Sequence, residues 1–179
     1  MRASVRRLDR CLMRRSYDRR SRRLDRALVG VTQAANYSRL WLLIAAGLAV
    51  VGGRQGRSAG LHGVAALAIA SAVSNGPAKL LVRRRRPLSP SRPALIRTPR
   101  STSFPSGHSA SAFAFATATC IELPGLAPLV VPLACAVAYS RVYTGVHYPS
   151  DVAAGAAIGV ASGVIAARLP WLRQQPFQP

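Results

Sequence analysis

The chain has 179 residues, half of them hydrophobic, with a formal net charge of +20. That length suits one ordinary domain, but the charge is segregated: 12 of the 25 basic residues lie in positions 1–39 and eight more between Lys79 and Arg100. Such separation argues against a nucleic-acid binder, in which charge and apolar residues interleave, and for a membrane protein with basic loops.

Residues 1–26 alternate Arg with Leu, Val and Tyr, and read as a basic N-terminal arm that is either disordered or an interfacial helix on an anionic membrane surface. The long charged region and late apolar core do not match a signal peptide. Of the five acidic residues, Asp9, Asp18 and Asp25 fall in this arm, where pairing with neighbouring arginines is the simple expectation. Such an arm should be dispensable if the function lies in the rest of the chain, and indispensable if the arm itself is the binding element.

Residues 27–170 form the expected membrane-embedded domain, followed by a tail at 171–179. Five apolar stretches occupy 40–53, 61–82, 109–121, 126–140 and 152–169. A span takes about 20 residues, so several are short taken singly. Together they leave too little polar surface for a soluble helical core, and their Ala, Gly and Ser content permits close packing in lipid. The expected fold is all-α: a multi-pass transmembrane bundle of about five helices in the cell membrane. If all five cross, loops 83–105 and 142–150 share a side with the N-terminus. Loops 54–58 and 122–125 and the C-terminus lie opposite.

The chemistry-bearing residues fall on the first of those sides. Lys79 precedes Arg86 by seven positions in KLLVRRRRP, Pro105–His108 reads PSGH, and SRVYTGVHYPSD carries Ser140, Arg141, His147 and Asp151. Lys79, Arg86 and Arg141 offer cations, and Arg forks suit phosphate oxygens. Ser106 supplies a hydroxyl or a helix N-cap, and Gly107 lets the backbone come close at a helix start, where anions bind. Pro149 and Ser150 suggest a helix start that puts Asp151 in its first turn. Asp151 would hold one nitrogen of His147 protonated and free the other as nucleophile or base, and His108 is placed to serve as an acid. Arg83, Arg84 and Arg85 read as a basic loop at the membrane edge, and His62 as structural. Cys11, Cys120 and Cys135 are dispersed without a CxxC pair, so neither zinc nor a disulfide framework is supported.

The patterns K-x6-R-P, P-S-G-H and S-R-x5-H-x3-D resemble the three-part signature of the type 2 phosphatidic acid phosphatase superfamily, which includes bacterial lipid phosphatases and vanadium haloperoxidases. All eleven specified positions are present, between residues 79 and 151. The resemblance implies that His147 attacks phosphorus to form a phosphohistidine, with Asp151 orienting it. His108 would protonate the departing alkoxide and then activate water. Lys79, Arg86, Ser106, Gly107 and Arg141 would hold the phosphoryl oxygens. That mechanism requires no metal and no cofactor. The implied partners are the bilayer and a lipid phosphate or diphosphate: phosphatidate-like, a polyprenyl diphosphate, or a polyprenyl-phosphate sugar bearing a further phosphate. No nucleic acid is expected, and the oligomeric state is open.

Larger bacterial members of the resembled family place three spans before the first motif, whereas two precede Lys79 here. The basic arm and the 79–100 cluster, against Arg54 and Arg57 in the first opposite loop, point the site to the cytosol. Two other readings compete. One is a vanadate-dependent haloperoxidase, although those enzymes are larger and soluble; the other is a non-catalytic basic membrane protein that recruits anionic lipid or nucleic acid through its arm.

Overall fold

The computed structural model describes residues 3–87, 93–99 and 101–170, so the tail at 171–179 lies outside the described residues. The described residues form helices and turns without strands. The helices are α1 (Ala3–Asp18), α2 (Arg22–Ala34), α3 (Arg39–Val51), α4 (Gly53–Asn75), α5 (Pro77–Leu81), α6 (Gly107–Glu122), α7 (Ala127–Tyr143) and α8 (Pro149–Ala167).

The basic arm is helical. In α1, Asp9, Met13 and Ser16 are buried while the arginines point outward, a one-sided pattern at helical spacing. Ser21 caps α2 by accepting the Leu24 N–H, and Leu28 and Thr32 form its inward face. Tyr37 and Ser38 then adopt positive φ, and the chain bends by 61° from α2 into α3.

The turn from α3 to α4 is tighter than the expected loop 54–58. Gly53 alone takes a left-handed conformation (φ 56°), where a glycine carries no Cβ penalty, and α4 starts there. Arg54 and Arg57 therefore stand on the first turns of a helix. At the other end of α4, Gly76 and Pro77 break the helix, because proline has no N–H to continue the ladder.

Helix α6 is the centre of the bundle, packed against α4, α7 and α8. Ala110, Ala112, Ala114 and Ala118 are fully buried along it, and Phe115 stacks on buried Trp41 of α3 with ring centroids 5.4 Å apart. Gly155, Gly159 and Gly163 of α8 recur every fourth residue against it. A Cβ on Gly155 would collide with the Ser106 carbonyl, and one on Gly159 with the Ala110 carbonyl. This small-residue seam lets the two backbones touch without side chains between them. The starts of α6 and α8 are thereby joined, Ser106 N–H donating to the Asp151 carbonyl at 3.0 Å.

Leu43, Val50, Val51, Leu129 and Ile165 face outward, as a lipid-exposed surface requires. Five segments run along the bundle, α3, α4–α5, α6, α7 and α8, but the expected count of about five spans is coarse. Three helical stretches, Gly53–Leu81, Pro124–Tyr143 and Pro149–Ala167, have the length and hydropathy to cross alone. The bent pair α2–α3 makes a fourth if it is one broken span. With 16 residues, α6 rises about 24 Å, short of the roughly 30 Å hydrocarbon core.

At the far end of the bundle, buried His62 donates from Nδ1 to the Ser58 carbonyl (2.9 Å), and the Ser58 hydroxyl donates to Glu122 (3.1 Å). This small network joins α4 to the end of α6 and engages Nδ1 of His62, while its Nε2 is buried without a partner.

Candidate functional site

The ends of α5 and α7, the starts of α6 and α8, and the extended segment 82–87 meet at one end of the bundle. Ser106 is the N-cap of α6, its hydroxyl accepting the Ser109 N–H, and Gly107 opens the first turn. Asn75 Oδ1 lies 3.3 Å from where a Gly107 Cβ would sit, so a larger residue would crowd that turn. Proline at the first position of α8 suits a helix start and leaves Asp151 in the first turn, accepting the Tyr148 N–H at 2.9 Å.

His147 lies in the loop between α7 and α8 and is 3% exposed. Its Nε2 is 3.0 Å from Arg86 Nη1. A guanidinium only donates, so Nε2 is the unprotonated nitrogen and the proton sits on Nδ1. Nδ1 faces Asp151 Oδ2 at 3.8 Å, an ion-pair separation longer than a hydrogen bond. Burial, with the charges of Arg141 and Arg86 behind it, lowers the His147 pKa to about 4 against the opposing pull of Asp151. The ring is neutral with a free lone pair at ordinary pH.

Three cations converge here. Arg86 also donates to the carbonyls of Ser101 (3.0 Å), Thr102 (3.2 Å) and Val146 (2.9 Å), and shares the Ser101 hydroxyl with Lys79 Nζ. Arg141 is 2% exposed, donates from Nη1 to Thr32, and leaves Nε without a partner. Among the described residues no carboxylate forms an ion pair with Arg86 or Arg141. A buried guanidinium beside a half-buried one, neither with a counter-charge, favours an anion between them.

His108, one residue into α6, places Nε2 at 2.9 Å from Asn36 Oδ1. An amide oxygen accepts, so this histidine presents an N–H there. Beside it lies a groove of about 840 Å³, lined by Asn36, Ser71, Asn75, Arg97 and Ser111.

The structure therefore brings Arg86, His147 and Asp151 into one chain of contacts, ties Lys79 to Arg86 through Ser101, and joins Ser106 to Asp151 through the backbone. His108 hydrogen-bonds to Asn36 and lies within electrostatic reach of Arg141, His147, Arg86 and Lys79.

Two readings of the sequence are corrected. Arg84 is no idle loop cation: it donates to Asp151 Oδ1 (2.7 Å) and Asp9 Oδ2 (2.7 Å) and stacks over Tyr148, 3.7 Å from the ring centroid. The missed signal is the period of an extended segment, which puts residues i and i+2 on one side. Arg84 and Arg86 face inward while Arg83 and Arg85 are exposed. Asp9 does not pair locally either. It is 2% exposed and accepts from Arg84 and from the Ser150 N–H and hydroxyl at 2.9 and 2.7 Å, 75 and 141 residues along the chain. Asn36 and Ser101 went unmarked as well, since single Asn and Ser residues carry no spacing signal.

The chain resembles known proteins in sequence and in fold. The sequence model of the PAP2 superfamily matches residues 59–175. The decaprenylphosphoryl-5-phosphoribose phosphatase of Mycobacterium tuberculosis is 40% identical over 139 residues, covering 78% of this chain and 66% of that protein. The phosphatase of the same name from Mycolicibacterium smegmatis is 43% identical over 79 residues, 43% of this chain and 42% of that one. Among solved structures, Aquifex aeolicus LpxE superposes with a TM-score of 0.75 at 24% identity, covering 88% of this chain and 93% of its own. A PAP2-type phosphatidylglycerolphosphate phosphatase from Bacillus subtilis gives 0.74 at 23%, covering 99% and 90%. These two likenesses carry the fold.

Proposed function

The chain belongs to the PAP2 superfamily, and on that premise we propose that it is a membrane phosphatase that removes the terminal phosphate of a lipid-linked phosphomonoester through a phosphohistidine. The observation that carries this reading is the state of His147: neutral, with its free Nε2 lone pair held among arginines and its Nδ1 proton aimed at Asp151.

The chemistry runs from those atoms. A phosphoryl group enters between Lys79, Arg86 and Arg141, with the Ser106 hydroxyl and the Gly107 N–H at the start of α6 as further donors. The Arg86 donor moves from Nε2 to a phosphoryl oxygen. Nε2 attacks phosphorus, the bond to the leaving oxygen breaks, and His108, protonated to the imidazolium once the phosphate's negative charge sits among the cations beside it, delivers a proton to that oxygen. Asp151 stabilises the positive charge that develops on the His147 ring. Water then attacks the phosphohistidine, His108 takes its proton, and inorganic phosphate leaves with His147 restored.

Among lipid-linked substrates, we favour a polyprenyl-phosphate sugar bearing a further phosphate. The groove beside His108 is walled by amide and hydroxyl groups that suit a hydroxylated leaving group. The mycobacterial relatives are named for a substrate of this kind, and the chain spans 66% of the length of the first. For orientation, we favour the cytosolic face. The arginines of α1 and α2 lie at the site end, with Arg54 and Arg57 at the other.

The test is phosphate release in detergent across phosphatidate, polyprenyl diphosphate and polyprenyl-phosphate sugar phosphate, with His147→Ala as the blank. The sugar phosphate should be the best substrate, and the variant should lose at least about 10³-fold in turnover. Release from none of them, or a variant as active as the parent, refutes the proposal.

A further inference from the structure

A second cavity, of about 640 Å³, lies between α1 and the segment leading to Arg86. Arg6 and Arg10 form one wall; Arg83, Arg84 and Arg85 form the other. Among the described residues no carboxylate lines it. Arg84 is engaged by Asp9 and Asp151, and the other four make no ion pair among the described residues. Cations gathered at close range repel one another unless an anion lies between them.

The rim of this cavity is apolar. Leu81, 84% exposed, and Val82 border it, and neighbouring Leu80 is 72% exposed. Tyr148, a residue type suited to the junction of water and hydrocarbon, closes the wall beneath Arg84. Guanidinium groups above exposed leucines match the two ends of one molecule, a phosphate head group and its acyl chains. A soluble phosphate would need the arginines and not the leucines.

We propose that this cavity binds the head group of an anionic phospholipid from the leaflet that holds the site, and that the lipid clamps α1 in place. The two walls come from separate elements, and an anion between them offsets their repulsion. Clamping α1 keeps Asp9 on Arg84 and Ser150, and Arg84 on Asp151. The lipid is thus an activator bound beside the reaction centre, distinct from the substrate.

The experiment uses the full chain with His147→Ala, so that binding is read without turnover. Phosphatidylglycerol and phosphatidylcholine are titrated into detergent-solubilised protein, and bound lipid is counted by native mass spectrometry. Phosphatidylglycerol should bind preferentially. Arg6→Gln with Arg10→Gln should weaken it about 30-fold without changing phosphatidylcholine, and Arg83→Gln with Arg85→Gln, on the opposite wall, should do the same. In the catalytically intact chain, phosphatidylglycerol vesicles should raise turnover of a water-soluble phosphomonoester several-fold over phosphatidylcholine vesicles. Either double variant should abolish that rise while keeping the phosphatidylcholine rate. Equal binding of the two lipids, or both double variants binding phosphatidylglycerol like the parent, overturns the proposal. So does full activation by inorganic phosphate in phosphatidylcholine vesicles, which assigns the cavity to a soluble anion. The binding arm stands whether or not the chain proves to be a phosphatase.

Discussion

Asp9 offers the sharpest test of how the arm supports the site. Its carboxylate is buried and accepts three hydrogen bonds, from Arg84 at 2.7 Å and from Ser150 at 2.7 and 2.9 Å. Replacing it with alanine leaves the Ser150 N–H at the start of α8 unpaired and removes one of the two carboxylates on Arg84. Removing one partner of a buried pair costs about 3–5 kcal/mol. Arg84 keeps Asp151, so the lower end applies, about 3 kcal/mol. The effect on chemistry follows from where the released charge goes. Arg84 then pairs with Asp151 alone and competes with His147, which already stands at 3.8 Å. A loss of about 1.4 kcal/mol of orientation at His147 corresponds to a tenfold fall in kcat, with KM little changed. Asp9→Asn separates the two effects: its amide oxygen can still cap Ser150, so stability should recover in part while kcat stays low. The assay is phosphate release at saturating substrate beside a thermal melt followed by tryptophan fluorescence. Wild-type kcat in both variants would refute the brace, and with it the idea that the arm matters to turnover. Deletion of residues 1–18 should behave like Asp9→Ala, against the sequence-based expectation that the arm is dispensable.

Other consequences are tested more simply. Asn36→Ala frees His108 and should lower kcat about tenfold on an alkyl phosphate but much less on an aryl phosphate, whose leaving group needs no proton; equal losses on both would remove Asn36 from the leaving-group side. Because burial depresses the His147 pKa to about 4, the unfolded chain binds a proton more readily below pH 6.5 than the folded one does. This contribution to stability is intact above pH 6.5 and lost as pH falls toward 4, by up to about 3 kcal/mol, and a nitrogen-15 NMR titration of His147 with a midpoint above 6 would contradict it. Gly159→Val sets a side chain against the Ala110 carbonyl across the α6–α8 seam and should cost about 1–3 kcal/mol or more, read as a lowered melting temperature; an unchanged melt would mean that the helices are not in backbone contact.

Much of the site was legible because its signals are local. PSGH announces a helix start, and Ser106 is the N-cap of α6; Pro149 announces another, and Asp151 stands in its first turn. Counting apolar stretches put Lys79, His108 and His147 at one end of the bundle without knowledge of packing. The arginine run was harder. Four identical residues in a row carry no contrast, and only the extended backbone decides that Arg84 and Arg86 turn in together. Helix length was also hidden. Gly53 lets α4 begin directly after α3, which turns an expected loop into helix, while α6 stays short because Leu123 and Pro124 end it.

By itself, then, the sequence determined the class of structure and marked out the residues proposed here to react. Segregated charge and small-residue apolar runs demand a helical membrane bundle, and the spacing of Lys79, Arg86, His108, His147 and Asp151 has few other chemical uses. Only the tertiary structure decided which groups support them. Asp9 reaches Ser150 across 141 residues, and Asn36 reaches His108 across 72. Contacts at that separation depend on how helices cross, and the crossing is set by the glycine seam between α6 and α8 and by the bend at Tyr37 and Ser38. The arm could be read as a charged appendage until folding showed that one of its acids is buried in the wall of the site.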